Sequence, residues 1–264
     1  MRNVMYHFTA QIAILIPRLE GLLLPTRRGD MPFFDDNQSF ILAIRSAEIS
    51  ITTDAMANVL NQHVFAADDS PLKEITITSQ GNSLNLRGKV HSKGDVSFET
   101  EGTLSVNDTG EIRIHSDRIR AAHLPVKGLM DLLGVKIASL INTNKVEGVR
   151  VDRNDLIVNP EQILPPPRIR GRLTAVQLRG NEIVLYFGAK AVASSKQPFQ
   201  NYMAFHGARL KFGKLTMNDT DMVLIDMDTR DPFDFYLHHY KEQLVAGLYQ
   251  DDAGLRLTRF HARL

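Results

Sequence analysis

Between residues 75 and 119 apolar and polar side chains alternate, as ITITS (75–79), SLNLRGKV (83–90), DVSFETEGTLSV (95–106) and EIRIHSDRI (111–119). Successive side chains of an extended chain point to opposite faces, so a period of two gathers the apolar set on one side and the charged set on the other. The alternation breaks at Gln80-Gly81-Asn82, Ser92-Lys93-Gly94 and Asn107-Asp108-Thr109-Gly110, residue types that reverse a chain at little conformational cost. Strands joined by such short turns predict an antiparallel meander with one dry and one wet face.

The flanking segments extend this pattern. ILAI (41–44) predicts a short strand, and ITTDAMANVLNQHVF (51–65) a helix capped by Thr52 or Thr53, with Met56, Val59, Leu60 and Val64 on one face. VRV (149–151) turns at Arg153-Asn154-Asp155 into LIV (156–158), a hairpin. Pro165, Pro166 and Pro167 donate no ladder hydrogen bonds, so NPEQILPPPRIRGRL is expected to be an extended connection or a sheet edge, leading to AVQLR (175–179) and EIVLYF (182–187). AKAVASSKQPFQ (189–200) has the small, polar texture of a linker. Beyond it YMAFHGARLKFGKLTM (202–217) and TDMVLIDM (220–227) predict paired strands. Asp231-Pro232 then opens an expected final helix with Phe233, Tyr236, Leu237, Tyr240, Leu244 and Leu248 on its face. Residues 8–24 are expected to form an amphipathic helix, packed on the body or lying on a membrane surface.

One element breaks the strand texture. HLPVKGLMDLLGVKIASLI (123–141) places Val126, Leu129, Met130, Leu133, Ile137, Leu140 and Ile141 on a single helical stripe, with Pro125 in the first turn. The stripe has two readings, core packing against the sheet or one wall of an apolar groove that holds a ligand. Met56 and Met130 suit an adaptable wall.

Composition and motifs remove several function classes. Thirty-one basic residues face thirty acidic ones, scattered along the chain, so no nucleic-acid surface is expected. Without cysteine there is no disulfide framework, thiolate nucleophile or cysteine zinc site. IAILI (12–16) is much shorter than the roughly 20 residues that span a bilayer, and GLLL (21–24) is not followed by a small-residue cleavage site. There is no P-loop, HExxH, DxDxDG loop, G-x-S-x-G elbow or dinucleotide glycine fingerprint.

The densest cluster of catalytic residue types is DMDTRDPFDFYLHHY, with Asp226, Asp228, Asp231, Asp234, His238 and His239. Asp234 and His238 lie one helical turn apart, a spacing that a metal could bridge. The structural reading is that Asp231 caps the helix, Asp234 complements its dipole and the other two end a strand. His63, His91, His115, His123 and His206 have no metal spacing. Arg168, Arg170, Arg172 and Arg179 alternate along one strand region, facing solvent or anionic head groups.

The order of a Thr-capped helix (ITTDAMANVLNQ), meandering strands, LPVKGLMDLLGVKIASLI, and GVRVDRNDLIVNPEQILPPP with GRLTAVQLRGNEIVLYFG resembles the LmeA-type bacterial phospholipid-binding proteins. These are similar to the tubular lipid-binding superfamily, and the resemblance covers about residues 41–188. It implies an α+β fold, a highly curved antiparallel sheet wrapped around amphipathic helices, with an apolar tunnel for acyl chains.

The expected organisation is an N-terminal amphipathic segment (1–40), a lipid-binding domain (41–188) and a strand-helix extension (189–264) that completes or caps the sheet. The leading functional expectation is non-enzymatic binding or transfer of a lipid or other long apolar ligand, with no cofactor. The groove residues are Met56, Val59, Leu60, Leu129, Met130, Leu133, Ile137, Leu140 and Ile141. A location at the bacterial envelope or membrane periphery goes with this reading, with the cytoplasm as the alternative. Two other functions stand beside it: a filled-core scaffold that docks a protein partner, and a metal-dependent hydrolase built on Asp226, Asp228, Asp234 and His238.

Overall fold

A computed structural model describes residues 1–70, 72–91, 95–121, 124–125, 147–152, 154–188, 198–236, 239, 248–252 and 255–260. The strands are β1 (Arg2–His7), β2 (Ala13–Pro25), β3 (Phe40–Thr52), β4 (Leu72–Gln80), β5 (Ser83–His91), β6 (Asp95–Val106), β7 (Ile112–Ala121), β8 (Leu124–Pro125) and β9 (Val149–Asp152). They continue as β10 (Asp155–Val158), β11 (Arg168–Arg170), β12 (Leu173–Arg179), β13 (Glu182–Phe187), β14 (Asn201–Phe212), β15 (Leu215–Asp226), β16 (Phe233–Tyr236), β17 (Leu248–Asp252) and β18 (Leu255–Phe260). Helix α1 (Thr53–Val59) follows β3 directly and runs on through a π-helical turn, Leu60–Val64. The fold is mostly antiparallel sheet and includes a sheet curled as a half-barrel.

The chain forms two compact units: Met1–Ser50, Pro166–Gly171 and Gly188–Leu264 make the first, Ile51–Pro165 and Arg172–Phe187 the second.

In the first unit β2 joins β3 to β1, β14 follows β1, and β15 is paired with β14 along its whole length. The expected amphipathic helix at 8–24 is instead the β1–β2 hairpin. Ile12, Ile14 and Ile16 are all buried, a period of two, and β-branched side chains fit a pleated surface better than a helix. Thr9 makes the turn, its hydroxyl accepting from the backbone N–H of Gln11 and Ile12.

The expected final helix also begins as a strand. Phe233 and Phe235, each 1% exposed, alternate with Asp234 and Tyr236, and β16 lies parallel to β1. Asp231 therefore precedes a strand and Asp234 lies within it, rather than in the first turn of a helix. Residues 237–238 and 240–247 lie outside the described residues, as do 189–197 of the expected linker.

The second unit carries the sheet β4-β5-β6-β7-β10-β9, antiparallel throughout, with β8 beside the end of β7. This is the meander expected from the alternation, and the hairpin at 149–158 closes it. The hairpin β12–β13 packs across β6. At Pro160–Ile163 the chain makes one helical turn capped by Asn159, where an extended connection was expected. Pro160 stands in the first turn, where its missing N–H has no intrahelical partner to lose.

Candidate ligand pocket

The pocket belongs to the second unit and is assembled by the period-two alternation. Cross-strand pairing sets Leu86 opposite Ile77 and Thr100, and Leu84 opposite Gly102. It also sets Ile114 opposite Leu104 and Leu156, and Ile112 opposite Val158, so these side chains share one face. The other face is ionic. Arg87 donates to Glu99 and Lys89 to Glu74, and Arg150 forks onto Glu111 at 2.5 and 2.7 Å. Arg150, with Asn107 and Thr109, holds the Glu111 carboxyl down at about 2. Asp155 accepts from Arg113 at 2.5 Å and meets His115 at 2.6 Å. Burial opposes its charged form, and these two partners outweigh burial and keep its pKa low.

Helix α1 is placed over the apolar face by two local devices. Thr52 accepts from the N–H of Ala55 at 3.1 Å, the expected N-cap. In the π-helical turn that continues the helix, Asn61 grips β4 where its register slips between Lys73 and Thr76: its amide donates to Ile75 O at 2.7 Å and accepts from Ile75 N at 2.8 Å. This clamp replaces the ladder bonds lost at the irregularity and fixes the helix relative to the sheet.

Between helix and sheet lies a cavity of about 30 Å³ within about 530 Å³ of space between atoms that includes open solvent. Met56 and Leu60 line it from the helix, Ile183 from β13, and the inner positions of β4, β5, β6, β7 and β10 complete it. The only polar side chain in the lining is Thr100, 5% exposed, whose hydroxyl has no hydrogen-bond partner among the described residues. Gly102 lines it too, at a slip in register where a Cβ would meet the carbonyl oxygen of His115 at 2.3 Å.

Of the groove residues expected from sequence, Met56 and Leu60 line this pocket. Val59, on the same helix, is fully buried and is not in the lining. Leu129, Met130, Leu133, Ile137, Leu140 and Ile141 lie outside the described residues. The strand positions of the lining were missed, although their alternation was visible, because period two does not say which face a helix covers.

The acidic cluster is engaged otherwise than a metal site requires. Asp226 accepts from the N–H of Asp228, Asp228 binds Arg230 through both oxygens, and Asp234 meets His7 Nε2 at 2.8 Å. Burial, then the neighbouring carboxylates, raises the Asp226 pKa. His7 also stacks on Tyr236, with ring centroids 3.9 Å apart. Among the described residues no group of three or more His, Asp or Glu side chains is placed to hold a metal ion, and no helix is long and apolar enough to cross a membrane. His238 lies outside them.

Comparison with protein-family models, with curated proteins and with solved structures finds no match.

Proposed function

We propose that the second unit binds a lipid or similar long apolar molecule between its sheet and α1, without catalysis. The observation that carries this reading is a cavity whose lining is apolar except for one buried hydroxyl, Thr100, that has no hydrogen-bond partner among the described residues. A buried polar atom left without a partner costs about 1 to 3 kcal/mol, and a ligand ester or hydroxyl oxygen beside Thr100 would remove that cost. Each methylene taken from water contributes about 0.8 kcal/mol, so a chain needs little polar recognition. The sheet wrapping amphipathic helices, and the run 123–141 as a second wall, are part of this proposal.

The size of the cavity favours a second reading. At about 30 Å³ it has room for two or three waters, at about 10–15 Å³ for each. The lining must therefore part to admit a chain, and a core that never parts would be a scaffold rather than a carrier.

One substitution separates the two. Ile114, partly exposed in the lining, replaced by Trp fills the space a chain would take. A carrier, whose lining parts to take the ring as it would a chain, then loses binding of the fluorescent fatty acid cis-parinaric acid while keeping its melting temperature. A filled core has no room for the ring and loses about 1 to 3 kcal/mol of stability. A destabilised Ile114→Trp protein that binds the probe as the parent does would overturn the carrier reading.

A further inference from the structure

The first unit carries a surface that the pocket does not use. Pairing places Leu22 of β2, Ala43 of β3 and Arg170 of β11 in one row, and Leu24, Ile41 and Arg168 in the next. Directly opposed residues share a face, so these six side chains form one outward patch, while Phe40, Ile44 and Ile169 on the opposite face are buried. Leu22 is 45% exposed, the highest value among the large apolar side chains of the described residues. β2 leads straight into a turn in which Arg27 and Arg28 are exposed, and Arg168 and Arg170 are exposed on the far side.

The charges make the patch directional. The acidic residues of these three strands, Glu20 and Glu48, are engaged by Arg45 (3.8 Å) and Arg18 (3.3 Å). Among the described residues Arg27, Arg28, Arg168 and Arg170 have no acidic partner; of the three acidic residues between β2 and β3, Asp35 accepts from the N–H of Gly213, Asp36 accepts from the N–H of Gln38, and Asp30 stands in the turn with Arg27 and Arg28. Leucines with guanidinium groups on both sides match one kind of surface, an interface with hydrocarbon below and anionic phosphates level with the Arg heads. A nucleic acid would satisfy the Arg residues and leave Leu22 and Leu24 against water or phosphate.

We infer that this face of the first unit is a peripheral docking surface for an anionic phospholipid bilayer. It stands independently of the pocket. A protein with a closed core could still dock, and a lipid carrier could lack this surface.

The test is co-sedimentation of the full chain with phosphatidylcholine vesicles and with vesicles of phosphatidylcholine and phosphatidylglycerol, at low and high salt. Binding is expected to the anionic vesicles only, weakening as salt rises. Each Arg near an anionic surface is worth about a fivefold change in partition, so the double change Arg168→Gln and Arg170→Gln should weaken binding about 25-fold. Arg27→Gln with Arg28→Gln, in an exposed turn that bears no sheet, should act alike and guards against misfolding. Leu22→Ser should weaken binding at every salt concentration, because insertion of an apolar side chain is not screened. Arg209→Gln, exposed on β14 of the same unit, should leave it unchanged. Equal binding to neutral vesicles, no binding to either kind, or an Arg209 effect as large as that of Arg168 and Arg170 would overturn the assignment. So would indifference to Leu22→Ser, since an ionic surface without insertion fits an acidic protein instead.

Discussion

Thr100→Val tests the pocket at its one polar point. Thr and Val have nearly the same shape, so the substitution exchanges a buried hydroxyl for a methyl without opening a cavity. Among the described residues Thr100 Oγ1 has no hydrogen-bond partner, and its residue is 5% exposed. Removing an unsatisfied group of this kind should stabilise the fold by about 1 kcal/mol, the low end of the range for such atoms. For a chain of this size that raises the melting temperature by about 2 to 4 °C. Thr100→Ser keeps the hydroxyl and loses a methyl, so it should instead destabilise by roughly 1 kcal/mol. With ligand present the order reverses: Val cannot bond the ligand oxygen, and affinity should fall about fivefold to tenfold, a loss of one ordinary hydrogen bond. Thermal melts of delipidated protein, with and without added lipid, read both effects. A delipidated Thr100→Val protein less stable than its parent would mean that the hydroxyl is already satisfied, and the reasoning would fail.

Other outcomes follow from single contacts. Gly102→Ala would drive a methyl to 2.3 Å from the His115 carbonyl oxygen in the middle of the β6–β7 ladder; a loss of about 2 to 3 kcal/mol by urea titration is expected. Asn201, fully buried, donates to the carbonyls of Asp228 and Asp231 at 2.7 Å and accepts from Asn3. Asn201→Ala should cost about 2 to 4 kcal/mol, and Asn201→Asp no less, because it sets an acceptor against two carbonyls. Glu111 has its pKa depressed from 4.5 to about 2 by Arg150 and its neighbours. Its contribution is therefore complete above the unfolded value and is lost as pH falls from there toward 2. Acid titration of stability should be shallower over that window for Glu111→Gln, and an unchanged curve would show that the fork contributes nothing.

Much of this architecture is legible before any folding. Residues 75–119 could hardly become anything but antiparallel strands, since their period of two and their Gly and Asn turns leave no helical face to bury. Helix α1 was equally readable, because Thr52 stands where a cap must and Met56 and Leu60 recur one turn apart. Both signals are local: they depend on side chains within a few positions of each other.

What failed was local pattern too short to choose between periods. IAILI fits a helix or a strand until β1 and β3 supply hydrogen bonds on both sides, and Phe233 and Phe235 alternate only once β1 lies beside them. The pocket belongs to the same class. Each strand declares an apolar face, yet only pairing in register brings Ile77, Leu86 and Thr100 into a row. It took the Asn61 clamp on Ile75, fourteen residues away, to set Leu60 against that face. Whether a buried hydroxyl is satisfied, or two arginines flank an exposed leucine, depends on distances between residues far apart in the chain, and only the pairing of strands determines those distances.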